Sequence, residues 1–539
     1  MHRQQSIANE VNAMADRDSN EYMDAEKSAR KWSFEIPPEP IQDDLIAETV
    51  CADLVVVGEG MSGLCTALSA KEEGVDTIIV TASSKPVGRG GSVFASNSKV
   101  MRRLGYPKLN PADFLLQEFA SGSYSIDQRK WYSFYNNSEM AMDWLIDMLE
   151  PTGINVVLEN GNVDEPNSPT YQPVGTHAFV GKAISFAGAG INLALEVLEK
   201  NYLERGGRIA YRTVAKQLEK DETTGRIAAV IALDKDGRYT KYTAKKAVVL
   251  ATGDFSANRD MMAKYCPAYA RYFTSGNSDY DVGIHNKGLY KGEGHLMAIW
   301  SGAAWQRTYP NAPIIQGSRT CSNMPYGAHR GLRLNINGER FMNEDANAPY
   351  TAIAVLREPG QTAFAIWGTN YAYDVDWHAH GSTRGSAATS PDAVIKLWEE
   401  EVEKGIFVKA GSIEDVASKL GLPSNRVLYE IERYNGFCRN GVDTDFYKKA
   451  KYLQEIRQAP FYGGSIGQNR FLSVLGGPRT NLNMQICDEN DNPLGGLYAA
   501  GSMIGDMFAN CYNFRIAGYN YGVCLTFGYM TGKFIANNE

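Results

Sequence analysis

This chain of 539 residues has no CxxC pair, no long apolar run and no internal repeat. Its eight cysteines are scattered, so their spacing gives no zinc or iron–sulfur site and no disulfide frame. Cys65 and Cys524 are expected to be small buried apolar residues. Without a CxxCH tract there is no heme attachment, and so no fused cytochrome. Among seven histidines only His378 and His380 lie close together, and with no third ligand they are not expected to hold a metal. No apolar stretch approaches the roughly 20 residues needed to span a bilayer. The start, Met1 to Ser6, has no apolar core, so no export signal is expected and the location reads as cytoplasmic. Basic residues number 54 against 62 acidic ones, a net charge of −8, which argues against nucleic acid as the main partner.

What the chain does have is concentrated in one stretch. Asp53 is followed by Leu54, Val55, Val56 and Val57, an apolar run of the kind that forms a strand buried on both faces. It leads directly into G-x-G-x-x-G, with Gly58, Gly60 and Gly63 at the motif positions, and a helical pattern follows from Leu64 to a break at Gly74. The first glycine permits the tight turn. The second admits a pyrophosphate to the backbone, and the third lets the helix pack on the strand. The chemistry is that of a dinucleotide site. One element departs from the rule. The second strand, Thr77 to Val80, lacks the acidic residue that normally holds a ribose hydroxyl; Thr81, Ala82, Ser83 and Ser84 come next. The ribose contact is therefore expected from Thr81 or Ser83.

A second glycine-rich loop spans Gly88 to Ser92. Helices are read over Asp127–Leu149 and Gly188–Arg205. Short strands are read over Arg208–Tyr211, Ile227–Ile231 and Tyr239–Tyr242, with turn chemistry between them. A separate buried strand from Lys246 ends in Ala251, Thr252 and Gly253, which sets its glycine against a cofactor. Near the end, Leu497 to Gly501 and then Tyr519 to Asn537 return to strand, turn and helix.

Taken together, the first glycine motif, the Ala251–Gly253 strand end and Leu497–Gly501 resemble the fumarate reductase/succinate dehydrogenase flavoprotein family. In site pattern the chain is similar to the 3-ketosteroid dehydrogenase members. Gly88–Ser92, Asn337–Glu344 and Leu475–Thr480 add to the likeness, which runs from about Cys51 to the end. The resemblance implies an α/β fold: a Rossmann-like FAD-binding domain with a parallel sheet (49–307 and 472–539), an inserted α+β cap domain (308–471) and an N-terminal arm (1–48). It implies FAD, held noncovalently because Ser92 to Asn97 contains no histidine. The implied cofactor contacts are Gly58, Gly60, Met61, Ser62 and Gly63; Thr81, Ala82 and Ser83; Gly90, Gly91 and Ser92; Ala251, Thr252 and Gly253; and Gly501 and Gly522.

Two family residues for fumarate are missing. The proton-donating arginine of fumarate reductases would fall on Ala348, and their substrate-binding histidine on Ser473. Ketosteroid dehydrogenases place a tyrosine at the arginine's position. Asn343 to Tyr350 has that pattern with two extra residues, which makes Tyr350 the candidate for proton transfer. Tyr512 and the backbone N–H of Gly518 match the pair that holds a carbonyl oxygen in the same relatives, again with a two-residue insertion. Arg515, in Arg515 to Gly518, has a rival reading as a carboxylate clamp. His329 and Arg330 are candidates to line the pocket, and so are Tyr171 and His177. Arg340 reads as a structural ion-pair partner.

The implied activity is reduction of a C=C bond conjugated to a carbonyl by hydride from flavin N5. The substrate would be a small-molecule enone, steroid-like or flavonoid-like. The alternatives are a ketosteroid-type dehydrogenase running the reverse reaction, a reductase of an unsaturated carboxylic acid bound by Arg515, and a flavoprotein electron-transfer subunit without catalysis. The electron donor is not written in the sequence.

Overall fold

The strand that carries the glycine motif runs Ile46–Val57, and its last four residues are buried on both faces. The computed structural model describes residues 32–159, 173–183, 187–273, 289–316, 331–346, 348–374, 390–465, 470–512 and 516–539. Tyr171, His329, Arg330, His378, His380 and Arg515 lie outside the described residues. The chain to Glu39 is a unit of its own, whose described part holds the short turn Ser33–Glu35. Pro40–Glu539 forms the second unit.

The centre of that unit is an eight-stranded sheet. Pro493–Ala499, Tyr239–Leu250, Ile46–Val57, Thr77–Val80 and Arg208–Ala210 lie side by side and parallel. Gln485–Cys487 pairs antiparallel at one edge, and the hairpin Thr213–Lys220 and Ile227–Asp234 extends from Tyr239–Leu250. Successive residues of a strand point to opposite faces. Val55, Val57, Val248 and Leu250 accordingly join one core, while Leu54, Val56, Ala247 and Val249 join the other. Burying each such side chain contributes about 1.5–3 kcal/mol.

Helix Met61–Glu72 covers one face, and ten of its twelve residues are buried. The last helix, Tyr519–Asn538, lies across it at close range. Thr66 Oγ1 donates to Gly528 O at 3.0 Å, and Ser69 Oγ to Tyr529 O at 3.0 Å. A methyl group at Gly532 would sit 2.1 Å from Ser69 Oγ, so glycine is required at that crossing.

Three boundaries differ from the sequence reading. Tyr239–Tyr242 and the strand from Lys246 are one element, Tyr239–Leu250. Its outer half pairs antiparallel with Ile227–Asp234 and alternates in burial, whereas its last four residues, at the end that lies between parallel neighbours, are all buried. The change of sheet environment makes one strand look like two. The helix expected from Gly188 begins at Ile191, because Ala187–Ala189 is a strand and Gly190 turns with φ of 140°. Tyr211 leaves the strand because Arg212 turns at φ 50°.

A third core cluster draws on residues 332–462 and centres on Trp367, Trp398 and Tyr462. Its three-stranded sheet is antiparallel: Phe364–Gly368, Phe461–Ser465 and Val408–Ala410. Ala312–Gln316 and Arg470–Leu475 pair antiparallel on the way into and out of this region.

Candidate functional site

A crevice of about 1150 Å³, including its solvent mouth, opens at the carboxyl ends of the parallel strands, with Val57, Val80 and Ala251 in its wall. Such strand ends are where open α/β sheets bind their ligands. Gly58 turns at φ +107°, and a Cβ there would meet Ala251 O at 2.3 Å. Gly63 is packed under this turn, where a Cβ would come within 2.0 Å of Gly58 O. Gly60 differs from both. It lines the crevice, and a Cβ on it would meet no protein atom within 4 Å. Helix Met61–Glu72 has Gly60 as N-cap and no side-chain cap. The first N–H groups of the helix therefore face the crevice with the positive end of the helix dipole behind them. A backbone cradle of this kind fits a pyrophosphate.

Most of the expected cofactor residues line this space: Gly58, Gly60, Met61 and Ser62; Thr81, Ala82 and Ser83; Ala251, Thr252 and Gly253. The others lie one layer behind. Gly90 lies against the Tyr521 ring, and Gly91 is buried beside it. Ser92 donates to Glu159. Gly501 is pressed on Ser62 Oγ, and Gly522 on Phe94 O. The hydroxyls at the end of the second strand are engaged locally. Thr81 Oγ1 accepts from Ser83 N at 3.2 Å, and Ser83 Oγ donates to Lys85 O at 2.6 Å.

The sequence reading passed over a buried ion pair in the same crevice. Arg89 Nη2 lies 2.5 Å from Asp254 Oδ2, and Asp254 is fully buried. Asp254 also accepts from Ser473 Oγ (2.5 Å), Val474 N (3.2 Å), Ser256 N (3.0 Å) and Ser256 Oγ (2.9 Å). Burial pushes the Asp254 carboxyl up, but the Arg89 charge and these donors outweigh it and hold it below the ordinary carboxylate range. The guanidinium lies 3.5 Å above the Tyr290 ring, and its Nη1 is buried without a hydrogen-bond partner. The available signal was Asp254 directly after Ala251, Thr252 and Gly253. Its partner is 165 residues away.

Tyr350 and Tyr512 are linked through Cys511, and neither is among the residues that line the crevice. Tyr350 lies in helix Ala348–Arg357, is 37% exposed, and its hydroxyl is hydrogen-bonded with the Cys511 thiol. Burial pushes that thiol up to about 12. Tyr512 is buried; its N–H donates to Pro313 O at 3.1 Å, next to Ile314 in the crevice wall. Its hydroxyl donates to Ile516 O at 3.3 Å and accepts from Asn520 N at 3.3 Å, at the start of the last helix. Burial pushes the phenol well above its ordinary value. Gly518 caps that helix at φ 82°, and a Cβ there would meet the Ser92 backbone at 2.8 Å. Asn520 and Tyr521 line the crevice.

His177 does not reach the crevice. It is fully buried, with Nε2 2.7 Å from Ser98 Oγ and Nδ1 3.2 Å from Val93 O. Burial lowers it to about 4, so it is a neutral core residue. Arg340 is a structural ion-pair residue, bonded to Glu344 and Asp443. Among the described residues no group of His, Cys, Asp and Glu is placed to hold a metal, and no helix is long and apolar enough to cross a membrane.

A family model described as "FAD binding domain" matches residues 53–513. The chain is 26% identical over 505 residues to a vinyl phenol reductase of Lactiplantibacillus plantarum, covering 89% of this chain and 94% of that protein. It is 24% identical over 570 residues to a 3-oxosteroid 1-dehydrogenase of Mycolicibacterium smegmatis, covering 90% and 97%. The fold is similar to that of the crystal structure of 3-ketosteroid-delta4-(5alpha)-dehydrogenase from Rhodococcus jostii, with TM-score 0.70, 21% identity, and coverage of 93% of this chain and 100% of that one.

Proposed function

The chain belongs to the FAD binding domain family of flavoprotein oxidoreductases, and from that premise we propose that it reduces a carbon–carbon double bond conjugated to a carbonyl in a neutral, enone-type small molecule. FAD, held noncovalently, supplies a hydride at N5 when bound and reduced. The chain's own residues supply the rest. Tyr350 gives a proton from its hydroxyl to the carbon alpha to the carbonyl. Tyr512, a buried phenol whose oxygen accepts from the Asn520 amide, turns its proton from Ile516 O to the substrate and so stabilises negative charge developing on the carbonyl oxygen. Residues 308–471 act as a cap that sets substrate shape. The electrons come from a donor outside this sequence, and the reaction belongs in the cytoplasm.

The observation that carries this reading is the Tyr350–Cys511 hydrogen bond beside Tyr512. It links the segment of Tyr350 to that of Tyr512, 162 residues on, and the Tyr512 N–H is bonded to Pro313 O, next to Ile314 in the crevice wall, which supports the pairing of their roles. The 3-oxosteroid 1-dehydrogenase, as named, acts on an oxo-bearing molecule, which supports the carbonyl-conjugated class, and the vinyl phenol reductase, as named, supports reduction of a C=C bond without bearing on the carbonyl. Arg515 as a carboxylate clamp would instead select unsaturated acids.

The test is anaerobic. The bound flavin is reduced chemically, and its absorbance is followed while enones and unsaturated acids are added. The expected result is rapid reoxidation by an enone, slowed about 10²–10⁴-fold in Tyr350→Phe with FAD still bound. Undiminished reoxidation in Tyr350→Phe removes Tyr350 from the chemistry. Reoxidation by acids alone, abolished in Arg515→Met, replaces the enone reading with the carboxylate one.

A further inference from the structure

We propose that Glu59, between the two motif glycines, holds the adenosine ribose of bound FAD in place of the acidic residue absent at the end of Thr77–Val80. The inference stands on FAD binding alone and is independent of the substrate reading. Glu59 lines the crevice and is 4% exposed. Both of its carboxyl oxygens are buried, and the one side chain they are set against is another carboxyl, that of Glu199. A buried acid whose facing group is a second acid is costly to a fold and needs an explanation.

Its surroundings locate it at the ribose end. The carboxyl faces Glu199 on helix Ile191–Glu204. Glu199 accepts a hydrogen bond from Tyr211. The next two residues tie this wall to the end of the second strand: Arg212 N donates to Ser83 O at 2.9 Å and Thr213 N to Thr81 O at 2.8 Å. Glu59 therefore shares a wall with the position where the ribose acid would normally stand. At that position Ser83 has already given its hydroxyl proton to Lys85 O, and Thr81 has taken the Ser83 amide. Neither supplies the acceptor-rich carboxyl that a ribose diol prefers.

The charge of the group is also compatible. An ionised carboxylate inside a phosphate-binding turn would repel the pyrophosphate. Burial, with the opposing Glu199 adding to it, pushes the Glu59 acid up to about 9. It is therefore protonated at neutral pH and offers one donor and one acceptor, the complement of a vicinal diol.

The test uses the full chain and measures dissociation constants for three ligands: FAD, FAD lacking the hydroxyls of the adenosine ribose, and FMN, which has no adenosine. Wild type should bind the dehydroxylated FAD about 10- to 100-fold more weakly than FAD. Glu59→Ala should bind FAD with a similar loss and show no further loss with the analogue, while FMN binds both proteins alike. Glu59→Gln keeps a donor and an acceptor and should stay within about threefold of wild type. The proposal is overturned if wild type does not distinguish the two forms of FAD. It is also overturned if the losses from substitution and analogue multiply, or if FMN weakens along with FAD in Glu59→Ala. The wild-type comparison needs no variant to fold, and no outcome depends on turnover.

Discussion

Two sets of buried ionisable groups in this protein are built on opposite plans. In the third core cluster Arg340 is saturated. Its Nε and Nη2 reach Glu344 at 2.9 and 2.8 Å, and its Nη1 and Nη2 reach Asp443 at 3.1 and 2.7 Å. Asp443 also accepts from the Asp445, Phe446 and Lys448 amides, and Lys448 Nζ reaches Glu344 and Tyr434. In the crevice, Arg89 keeps one buried nitrogen without a partner, and Glu59 is set only against another acid, Glu199. Desolvating a charged or polar group is costly unless partners repay it. The Arg340 network repays that cost within the fold, whereas the crevice groups leave hydrogen-bonding capacity unused.

The sharpest way to break this contrast is Arg340→Met. It strands Glu344 and Asp443, both with fully buried side chains, and should destabilise the unfolding transition by about 3–5 kcal/mol. Because the residue is outside the crevice, the rise in melting temperature on adding FAD should be unchanged. A loss well under 1 kcal/mol would show the network to be dispensable.

Arg89→Met should behave in the reverse manner. Asp254 keeps its bonds to Ser256, Ser473 and Val474, so the FAD-free protein should lose only about 1–3 kcal/mol. The stabilisation by added FAD should shrink, since Nη1 would have found its partner in the bound ligand. An undiminished FAD response would place Arg89 with Arg340 as scaffold.

Acid titration probes the Arg340 network directly. Burial raises the Asp443 carboxyl, but Arg340 and the Lys448 and Phe446 amides outweigh it and bring it down to about 2. A folded value below the unfolded one, about 3.9, gives stability that is fully present above pH ~4 and lost as pH falls toward 2. Chemical denaturation across that window should show the loss in wild type and a smaller one in Arg340→Met. The smallest effect expected is that of Ser83→Ala, whose hydroxyl is spent on Lys85 O. FAD affinity should change by less than about threefold, measured by fluorescence titration; a tenfold loss would return the ribose contact to Ser83.

The legibility of the sequence followed the range of the interactions involved. Leu54–Val57 and the glycine positions were readable because a buried strand, a turn at φ +107° and a close helix crossing are each fixed by neighbouring residues. The same local reasoning split Tyr239–Leu250 in two, since its pairing partners change along its length and periodicity cannot report partners. His177 was a candidate to line the pocket, but its strand pairs with Ser92–Phe94 and its ring is bonded to Ser98, which buries it. Arg340 was recognised as an ion-pair residue, while Asp443, 103 positions on, was invisible as its partner.

By itself the sequence determined the cradle: apolar strand, glycine turn and uncapped helix are set by local sterics and backbone hydrogen bonding, and those are the features a pyrophosphate recognises. Only the tertiary structure decided which polar side chains meet around that cradle and beyond it. The pairing of Arg89 with Asp254, the setting of Glu59 against Glu199, and the meeting of Tyr350 with Cys511 each join segments far apart in the chain. Their energies depend on burial and distance, and neither exists until the sheet, its helices and the Ala312–Gln316 strand have packed.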